Sequence, residues 1–213
     1  MELYLIRHGE TVWNQEGRYY GHSDVELALE GRLQAQRLGK YLKKIEFDYI
    51  FTSPLKRAIE TARACVSEEA FAEKIIREPR LMEQNFGLFE GKTYQQLKKE
   101  YPEELTLWNS DWQEYCLPCG ESFHDVRIRV EDFVTDLWKW GQSMEKRQEG
   151  LSEKAGKKIL IAAHKGTFGH MLAALLHMPL SGYWNFVFEQ GTYSRIDIED
   201  GYAIIRCLNA LPK

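Results

Sequence analysis

Short apolar segments alternate with stretches of helical periodicity along most of the chain, and this alternation restricts the fold more than any other feature. Four segments are typical of strands: LYLIR (3–7), FDYIFTS (47–53), KIIREPRL (74–81) and KILIAAH (158–164). Apolar residues recur at helical spacing over about 31–44, 55–66, 121–140 and 167–177. SRIDIED and YAIIRCLNA, joined around Asp200-Gly201, predict a terminal β-hairpin. The alternation predicts the α/β class, as a three-layer α/β/α sandwich with a mostly parallel central sheet.

No Pro/Gly/Ser-rich linker and no internal repeat divides the 213 residues. Residues 1–213 are therefore predicted to form a single domain, with a lid of short helices and loops around 84–120. Ser53-Pro54 predicts the start of the second helix, because a capping Ser precedes a Pro at the first helical position. The segment 144–158 predicts a charged surface loop.

Charge and composition exclude several classes of protein. The formal net charge is −4, whereas a non-specific nucleic-acid binder is usually basic, so no nucleic-acid partner is expected. The sequence has no apolar run of membrane-spanning length and no basic leader before the first strand, which predicts a cytoplasmic protein without a membrane partner. Cys116 and Cys119 form a C-x-x-C pair, but a zinc site would need a second pair, so two free thiols are expected. The sequence is compatible with a homodimer but does not fix the oligomeric state.

Charged side chains stand at the ends of the predicted strands, where burial is costly without a partner. Arg7 and His8 end the first strand, His164 ends KILIAAH, and Arg57 lies on the first helical turn after the second strand. Arg57 is off the apolar stripe of its helix, so it need not be buried in the core. Ligands of open parallel sheets bind at the carboxyl ends of the strands. These four residues therefore predict a phosphate cradle, a site in which two Arg and two His surround a dianion.

A phosphate in this cradle needs a nucleophile and an acid. A neutral imidazole can attack phosphorus and form a phosphohistidine. Neighbouring guanidinium charges lower the pKa of such a His, which keeps the attacking nitrogen unprotonated. The leaving alkoxide then needs a proton from a carboxylic acid. The residue types at the strand ends thus favour phosphoryl transfer.

Five segments resemble, in order, the motifs of the histidine phosphatase superfamily, the phosphoglycerate-mutase-like proteins: RHGETVWN (7–14), SPLKRAIETA (53–62), EQNFGLFEG (83–91), PCGES (118–122) and AHKG (163–166). The resemblance implies the phosphoglycerate-mutase-like fold. It implies His8 as the nucleophile, with Arg7, Arg57 and His164 around the phosphate. It also implies Glu83 as the general acid, and that no cofactor and no metal is needed.

Other positions are candidates for substrate contacts. The resemblance implies a phosphate contact for Asn14, and Gly21 is a further candidate in the polar loop after it. Lys165 stands where many relatives have Gly. Its backbone N–H is still available, and its side chain either touches the substrate or points away. Cys119 stands where Gly is common in the PCGES motif.

Two segments, WNSDWQEYCLPCGES (108–122) and MPLSGYWNFVFEQGTYSRIDI (178–198), resemble the α-ribazole phosphatases within this family. The resemblance implies hydrolysis of a small-molecule phosphomonoester, α-ribazole 5′-phosphate, a benzimidazole ribotide of cobalamin biosynthesis. Three alternatives stay open: a broad-specificity small-molecule phosphatase, a phosphoglycerate mutase and a non-catalytic phospho-ligand-binding relative.

Aromatic side chains of the lid are candidates for stacking on a flat base, and Trp112 is predicted to contact the substrate. The other candidates are Trp108, Tyr115 and Trp184. The same aromatic cluster is equally compatible with a packed core. Three histidines are interpreted as helix-surface or packing residues: His124, His170 and His177.

Overall fold

Six strands form a central sheet in the computed structural model, which describes residues 1–147 and 156–211. The strands are β1 (Glu2–Arg7), β2 (Tyr49–Thr52), β3 (Ile75–Arg77), β4 (Lys158–Ala163), β5 (Tyr193–Glu199) and β6 (Tyr202–Ala210). The helices are α1 (Val12–Gln15), α2 (Leu29–Leu42), α3 (Lys56–Cys65), α4 (Glu68–Lys74), α5 (Tyr94–Glu100), α6 (Pro102–Ser110), α7 (Phe123–Arg147) and α8 (Lys165–Leu175).

The strand order is β3-β2-β4-β1-β5-β6. Strands β1 to β4 are parallel to one another, whereas β5 is antiparallel to β1 and to β6. Asp200 and Gly201 connect β5 to β6 and both have positive φ, as a two-residue hairpin turn requires. The predicted α/β class, the mostly parallel sheet and the terminal hairpin are therefore confirmed.

Alternate residues of the central strands face opposite helical layers. In β1, Leu3 and Leu5 pack in a buried cluster with residues of α7 and α8. Tyr4 and Ile6 pack on the other face of the sheet, in a cluster with residues of α2, α3 and α4. The sheet thus lies between two helical layers, as the three-layer prediction requires.

The segment around 84–120 contains α5 and α6 and packs on a small core of its own. The buried residues of this core are Phe89, Leu97, Leu105 and Leu117. Trp108 and Tyr115 pack against it, and the ring of Trp108 lies 5.7 Å from that of Phe89, centroid to centroid. Two of the four aromatic candidates therefore contribute to packing.

Helix α3 does not begin at Ser53, so that prediction is wrong. The N-cap is Leu55, and the backbone N–H of Ser53 still donates to Ala162 of the neighbouring strand. The Ser53 hydroxyl lies 2.8 Å from Nε2 of His164. Ser53 does not cap the helix, because its backbone pairs with Ala162 of β4 and its hydroxyl pairs with His164.

The predicted strand 74–81 is shorter, because only Ile75–Arg77 pair in the sheet. Pro79 has no N–H for the ladder and begins a 3₁₀ turn, Pro79–Leu81.

Helix α7 continues to Arg147, so the loop predicted from residue 144 is wrong over its first four positions. The sequence MEKR at 144–147 consists of good helix formers, which explains the extension. Residues 148–155 of that predicted loop lie outside the described residues. Neither α7 nor any other helix of the described ranges is long and apolar enough to cross a membrane.

Candidate active site

The carboxyl ends of β1 and β4 lie level at one edge of the sheet. Arg7 is opposite Ala163 in the register of these two strands, so the residues that follow, His8 and His164, leave the sheet side by side. Their ring centroids are 5.1 Å apart. Arg57 reaches the same place from the first turn of α3, and its charge influences both imidazoles. The structure thus brings the four residues of the predicted phosphate cradle together.

His8 is buried and held in one tautomer. Its Nδ1 lies 2.7 Å from the carbonyl oxygen of Gly9, which can only accept, so Nδ1 carries the proton and Nε2 keeps its lone pair. Burial and the charges of Arg57 and Arg7 hold the pKa of His8 well below its usual range. At neutral pH the imidazole is therefore uncharged, with Nε2 free to act as a nucleophile.

Arg57 is completely buried, although its place off the apolar stripe suggested that it need not be. It donates from Nη1 to the carbonyl of Ser23 at 2.8 Å and from Nη2 to that of Gly21 at 2.6 Å. The guanidinium carbon lies 4.8 Å from the ring centroid of Tyr20. These three contacts are to uncharged groups, so they orient the guanidinium without neutralising it.

Arg7 supplies a second, partly buried cation beside His8. Its Nη1 donates to the carbonyl of Phe188 at 2.9 Å. The Nε atoms of Arg7 and Arg57 are buried and have no hydrogen-bond partner among the described residues. Both guanidinium groups line the same cavity as His8. A phosphate dianion would complete this arrangement, because arginine donors match its oxygens and stay charged.

Glu90 organises the loop that holds Arg57. Its carboxylate accepts hydrogen bonds from three consecutive backbone N–H groups, of residues 21, 22 and 23, at 2.7, 3.0 and 3.0 Å. It also accepts from the N–H of Phe86 at 3.0 Å. Because the carbonyls of residues 21 and 23 hold Arg57, Glu90 links that arginine to the segment that carries the acid.

Glu83 lines the cavity with His8 and is fixed by backbone donors. Its Oε2 accepts from the N–H of Gly166 at 2.9 Å, and its Oε1 from the N–H of Gln84 at 3.1 Å. A Cβ at position 166 would overlap the Glu83 carboxylate, so the glycine of AHKG leaves room for the acid. Lys165, the departure from the family pattern, is exposed on the first turn of α8 and also lines the cavity.

Arg129 of α7 fixes the backbone around Glu83. It donates to the carbonyls of Met82 and Glu83 at 2.7 and 3.1 Å. Glu121 pairs with the same guanidinium at 2.9 and 3.0 Å and accepts the N–H of Asn85 at 2.9 Å. The glutamate of the PCGES motif therefore acts through Arg129 and the backbone on the position of the acid.

Asn14 lines the cavity, as its predicted phosphate contact requires. Its Oδ1 accepts from Nε2 of Gln190 at 2.8 Å and from the N–H of Thr11 at 3.1 Å. With the oxygen engaged in this way, the amide nitrogen is the end of Asn14 that can donate to a ligand. The phosphate contact itself stays a prediction.

Two other predicted site residues lie behind the cavity wall. Gly21 uses its N–H for Glu90 and its carbonyl for Arg57, and a Cβ there would overlap the carbonyl oxygen of Gln84. His164 is held by Ser53, and burial and the charge of Arg57 keep its pKa well below the usual range. The structure therefore places both as supports of the cavity, and direct substrate contact by either stays a prediction.

A second cavity with aromatic walls adjoins the first. The cavity beside the phosphate cradle has a volume of about 380 Å³ and the second of about 340 Å³. The second, the aromatic cleft, is lined by Tyr19, Gln84, Phe86, Trp108, Asn109, Trp112, Phe123, Tyr183 and Trp184. The two cavities share Tyr19, Gln84, Phe86, Phe123 and Tyr183. A ligand with its phosphate in the cradle can therefore extend into the cleft, where Trp112 and Trp184 lie.

Sequence reasoning missed several residues of the site. Glu90 is the second-to-last residue of the EQNFGLFEG motif, and its place in that motif was the available signal. Arg129 and Tyr183 have no local signal. His170 packs, as expected, on the ring of Phe123, but it also lines the cavity beside the phosphate cradle.

Cys116 and Cys119 are exposed, and Cys119 has a φ of 60° at the position where related motifs have Gly. Within residues 1–147 and 156–211, no group of three or more His, Cys, Asp or Glu side chains is placed to hold a metal ion.

The chain is similar to known proteins over almost its whole length. The sequence profile of the histidine phosphatase superfamily, branch 1, matches residues 3–211. The adenosylcobalamin/α-ribazole phosphatase of Escherichia coli strain K12 is 35% identical over 210 residues, which cover 99% of this chain and 96% of that protein. Phosphoserine phosphatase 1 of Hydrogenobacter thermophilus is 31% identical, with 98% and 92% covered. The crystal structure of the α-ribazole phosphatase of Shigella flexneri superposes with a TM-score of 0.86 at 35% identity, covering 99% of this chain and 96% of that one.

Proposed function

Because the chain belongs to branch 1 of the histidine phosphatase superfamily, we propose that it hydrolyses a phosphomonoester through a phosphohistidine at His8. One observation carries the proposal: an uncharged His8 with a free Nε2 lies beside the buried Arg57 and the partly buried Arg7. Neither arginine forms a salt bridge with a carboxylate of the described residues. Glu83 lines the same cavity and is available as the acid.

The proposed reaction has two steps. In the first, Nε2 of His8 attacks phosphorus while the bond to the leaving oxygen breaks, and the protonated carboxyl of Glu83 gives its proton to that oxygen. In the second, water attacks the phosphohistidine and gives a proton to the Glu83 carboxylate, which releases phosphate and restores both residues. Donors of Arg7 and Arg57 stabilise the charge on the phosphoryl oxygens throughout.

We propose α-ribazole 5′-phosphate as the substrate, in cobalamin biosynthesis in the cytoplasm. The names of the relatives at 35% identity suggest this compound, and the aromatic cleft supports it. With the phosphate in the cradle, the benzimidazole base would lie among the aromatic side chains of the cleft, which suit stacking on a flat ring.

A substrate panel tests this proposal. The panel contains α-ribazole 5′-phosphate, phosphoserine and 3-phosphoglycerate, assayed in excess chelator and with or without a bisphosphate primer. We expect the highest kcat/KM for α-ribazole 5′-phosphate, with no dependence on the primer.

Each alternative has its own outcome in the same panel. A higher kcat/KM for phosphoserine than for the other compounds would indicate a phosphoserine phosphatase. Primer-dependent isomerisation of 3-phosphoglycerate would indicate a mutase. Similar rates on the whole panel would indicate a broad-specificity phosphatase, and no turnover of any compound would indicate a phospho-ligand-binding protein.

A further inference from the structure

His170 lies at the junction between the cavity of the phosphate cradle and the aromatic cleft. It belongs to α8, is 2% exposed and lines the first cavity. Its ring centroid lies 4.3 Å from that of Phe123 and 4.9 Å from that of Tyr183, and both of these rings line both cavities. His170 thus brings a polar ring to a wall that is otherwise largely aromatic.

Neither ring nitrogen of His170 has a hydrogen-bond partner among the described residues, and one of them is buried. Nδ1 of His170 is buried and makes no hydrogen bond among the described residues. The same is true of Arg7 Nε, Arg57 Nε and His164 Nδ1, which belong to the phosphate cradle. Buried polar atoms are nearly always satisfied, and exceptions at a site call for a ligand or an ordered water. A phosphate would account for the arginine atoms of the cradle, whereas His170 lies outside the cradle and needs another polar group.

The charge state of His170 indicates what kind of group this is. Burial, together with the charges of Arg127 and Arg129, lowers the pKa of His170 to about 3. A neutral imidazole has one N–H donor and one acceptor nitrogen. A hydroxyl group can also donate and accept, so it can bind either ring nitrogen without bringing a further charge into the cavity.

We propose that His170 is a specificity-determining residue that hydrogen-bonds a hydroxyl of the leaving group, between the scissile phosphate and a flat ring in the aromatic cleft. The substrates are then phosphate monoesters of hydroxylated alcohols that carry a ring, and ribose 5′-phosphates with a planar base belong to this class. The inference rests on the proposed phosphomonoester hydrolysis and adds the residue that distinguishes such leaving groups.

The test compares kcat/KM on two substrates, α-ribazole 5′-phosphate and phenyl phosphate. Phenyl phosphate has a flat ring but no hydroxyl between the ring and the phosphate. His170→Phe keeps an aromatic ring against Phe123 and Tyr183 and removes both nitrogen atoms. We expect it to lower kcat/KM for the ribotide about 10- to 100-fold and to change that for phenyl phosphate less than about threefold.

Two further variants separate hydrogen bonding from packing. His170→Asn retains a donor and an acceptor, so it should recover part of the activity on the ribotide that His170→Phe loses. His124→Asn changes an exposed histidine of α7 outside both cavities and should match the wild type on both substrates.

Equal losses on both substrates would overturn the inference, because they would show a packing role. So would an unchanged kcat/KM for the ribotide in both His170 variants. A wild type that cleaves phenyl phosphate but not the ribotide would also overturn it, together with the proposed substrate. A wild type that cleaves neither compound would instead contradict the proposed phosphatase activity.

Discussion

The phosphate cradle and the aromatic cleft hold their side chains in different ways. In the cradle, His8, Arg57 and His164 are at most 4% exposed, and each is fixed by a hydrogen bond to a carbonyl or to a buried hydroxyl. In the cleft, Trp184 is 63% exposed. Trp112 meets it through an edge-to-face contact of 5.4 Å between ring centroids. The cradle is thus set by directional hydrogen bonds, and the cleft by contacts between rings.

This difference follows from the two tasks of the site, which are phosphoryl transfer in the cradle and binding of a flat base in the cleft. Phosphoryl transfer depends on donors that are in place before the reaction, so a small displacement is costly. Binding a flat base depends on ring surface, which tolerates small shifts in geometry. Single changes in the cradle should therefore abolish turnover of every substrate. Single changes in the cleft should weaken only substrates that carry a ring.

The largest effect is expected at the centre of the cradle. His8→Ala removes the nucleophile, and kcat for p-nitrophenyl phosphate should fall by at least about 10⁴-fold. His164 cannot take over through Nε2, because that nitrogen is engaged with Ser53. Quenching wild-type turnover of radiolabelled substrate in alkaline denaturant should trap a phosphoenzyme that the variant lacks, because a phosphohistidine is stable in base and hydrolyses in acid. Retention of a tenth of the wild-type kcat by His8→Ala would show that another group attacks phosphorus.

The second largest effect is expected at Gly166, which leaves room for the carboxylate of Glu83. Gly166→Ala places a Cβ against the Glu83 carboxylate and should lower kcat about 10²-fold by displacing the acid. A double-mutant cycle supplies the control: in a Glu83→Ala background the same change should have little further effect. Additive losses in the cycle would show that the small residue at position 166 serves another purpose.

Stability should depend on pH through the buried histidines. His8, His164 and His170 have folded-state pKa values below the value of about 6.5 expected when unfolded. The unfolded chain therefore binds protons first, so the stabilisation is present above pH 6.5 and is lost as the pH falls below it. Between pH 6.5 and 5.5 the free energy of unfolding should fall by about 1 kcal/mol for each of the three histidines.

Urea unfolding of the ligand-free protein at pH 7.5, 6.5 and 5.5 measures this dependence. Trp112→Ala, a change in the aromatic cleft, should keep the wild-type pH dependence even if it lowers stability at every pH. An unfolding free energy that stays constant over this range would contradict the protonation states assigned to these histidines.

The part of the cradle that follows strand ends could be predicted from sequence. Arg7, His8 and His164 are visible because an apolar strand that stops at a cationic or imidazole side chain is unusual. The complete burial of Arg57 could not be predicted. It depends on carbonyls of residues 21 and 23, which reach the helix from a loop without periodicity. Glu90 and Arg129 were missed for a related reason, because they bind backbone groups distant in sequence and leave no local pattern.

The aromatic cleft could be predicted in residue type but not in arrangement. Trp108, Trp112, Tyr115 and Trp184 have the same composition signal, yet Tyr115 packs in the lid core while Trp112 and Trp184 line the cleft. Trp108 does both. Side-chain direction decides among these roles, and in the cleft it depends on contacts between distant segments, such as that of Trp112 with Trp184 of the 3₁₀ turn Leu180–Asn185.

The smallest expected effect tests the cleft itself. Trp112→Ala removes a ring from its wall and should lower kcat/KM for α-ribazole 5′-phosphate about tenfold relative to that for a small aliphatic phosphate, because one stacking contact is lost. Tyr115→Ala is the matched control, since it removes an aromatic ring of the same loop that packs in the lid core. It should leave the ratio of the two kcat/KM values unchanged, whatever it does to stability. If Trp112→Ala also left the ratio unchanged, the cleft would not bind the base, and the contrast between the two halves of the site would reduce to a difference in packing.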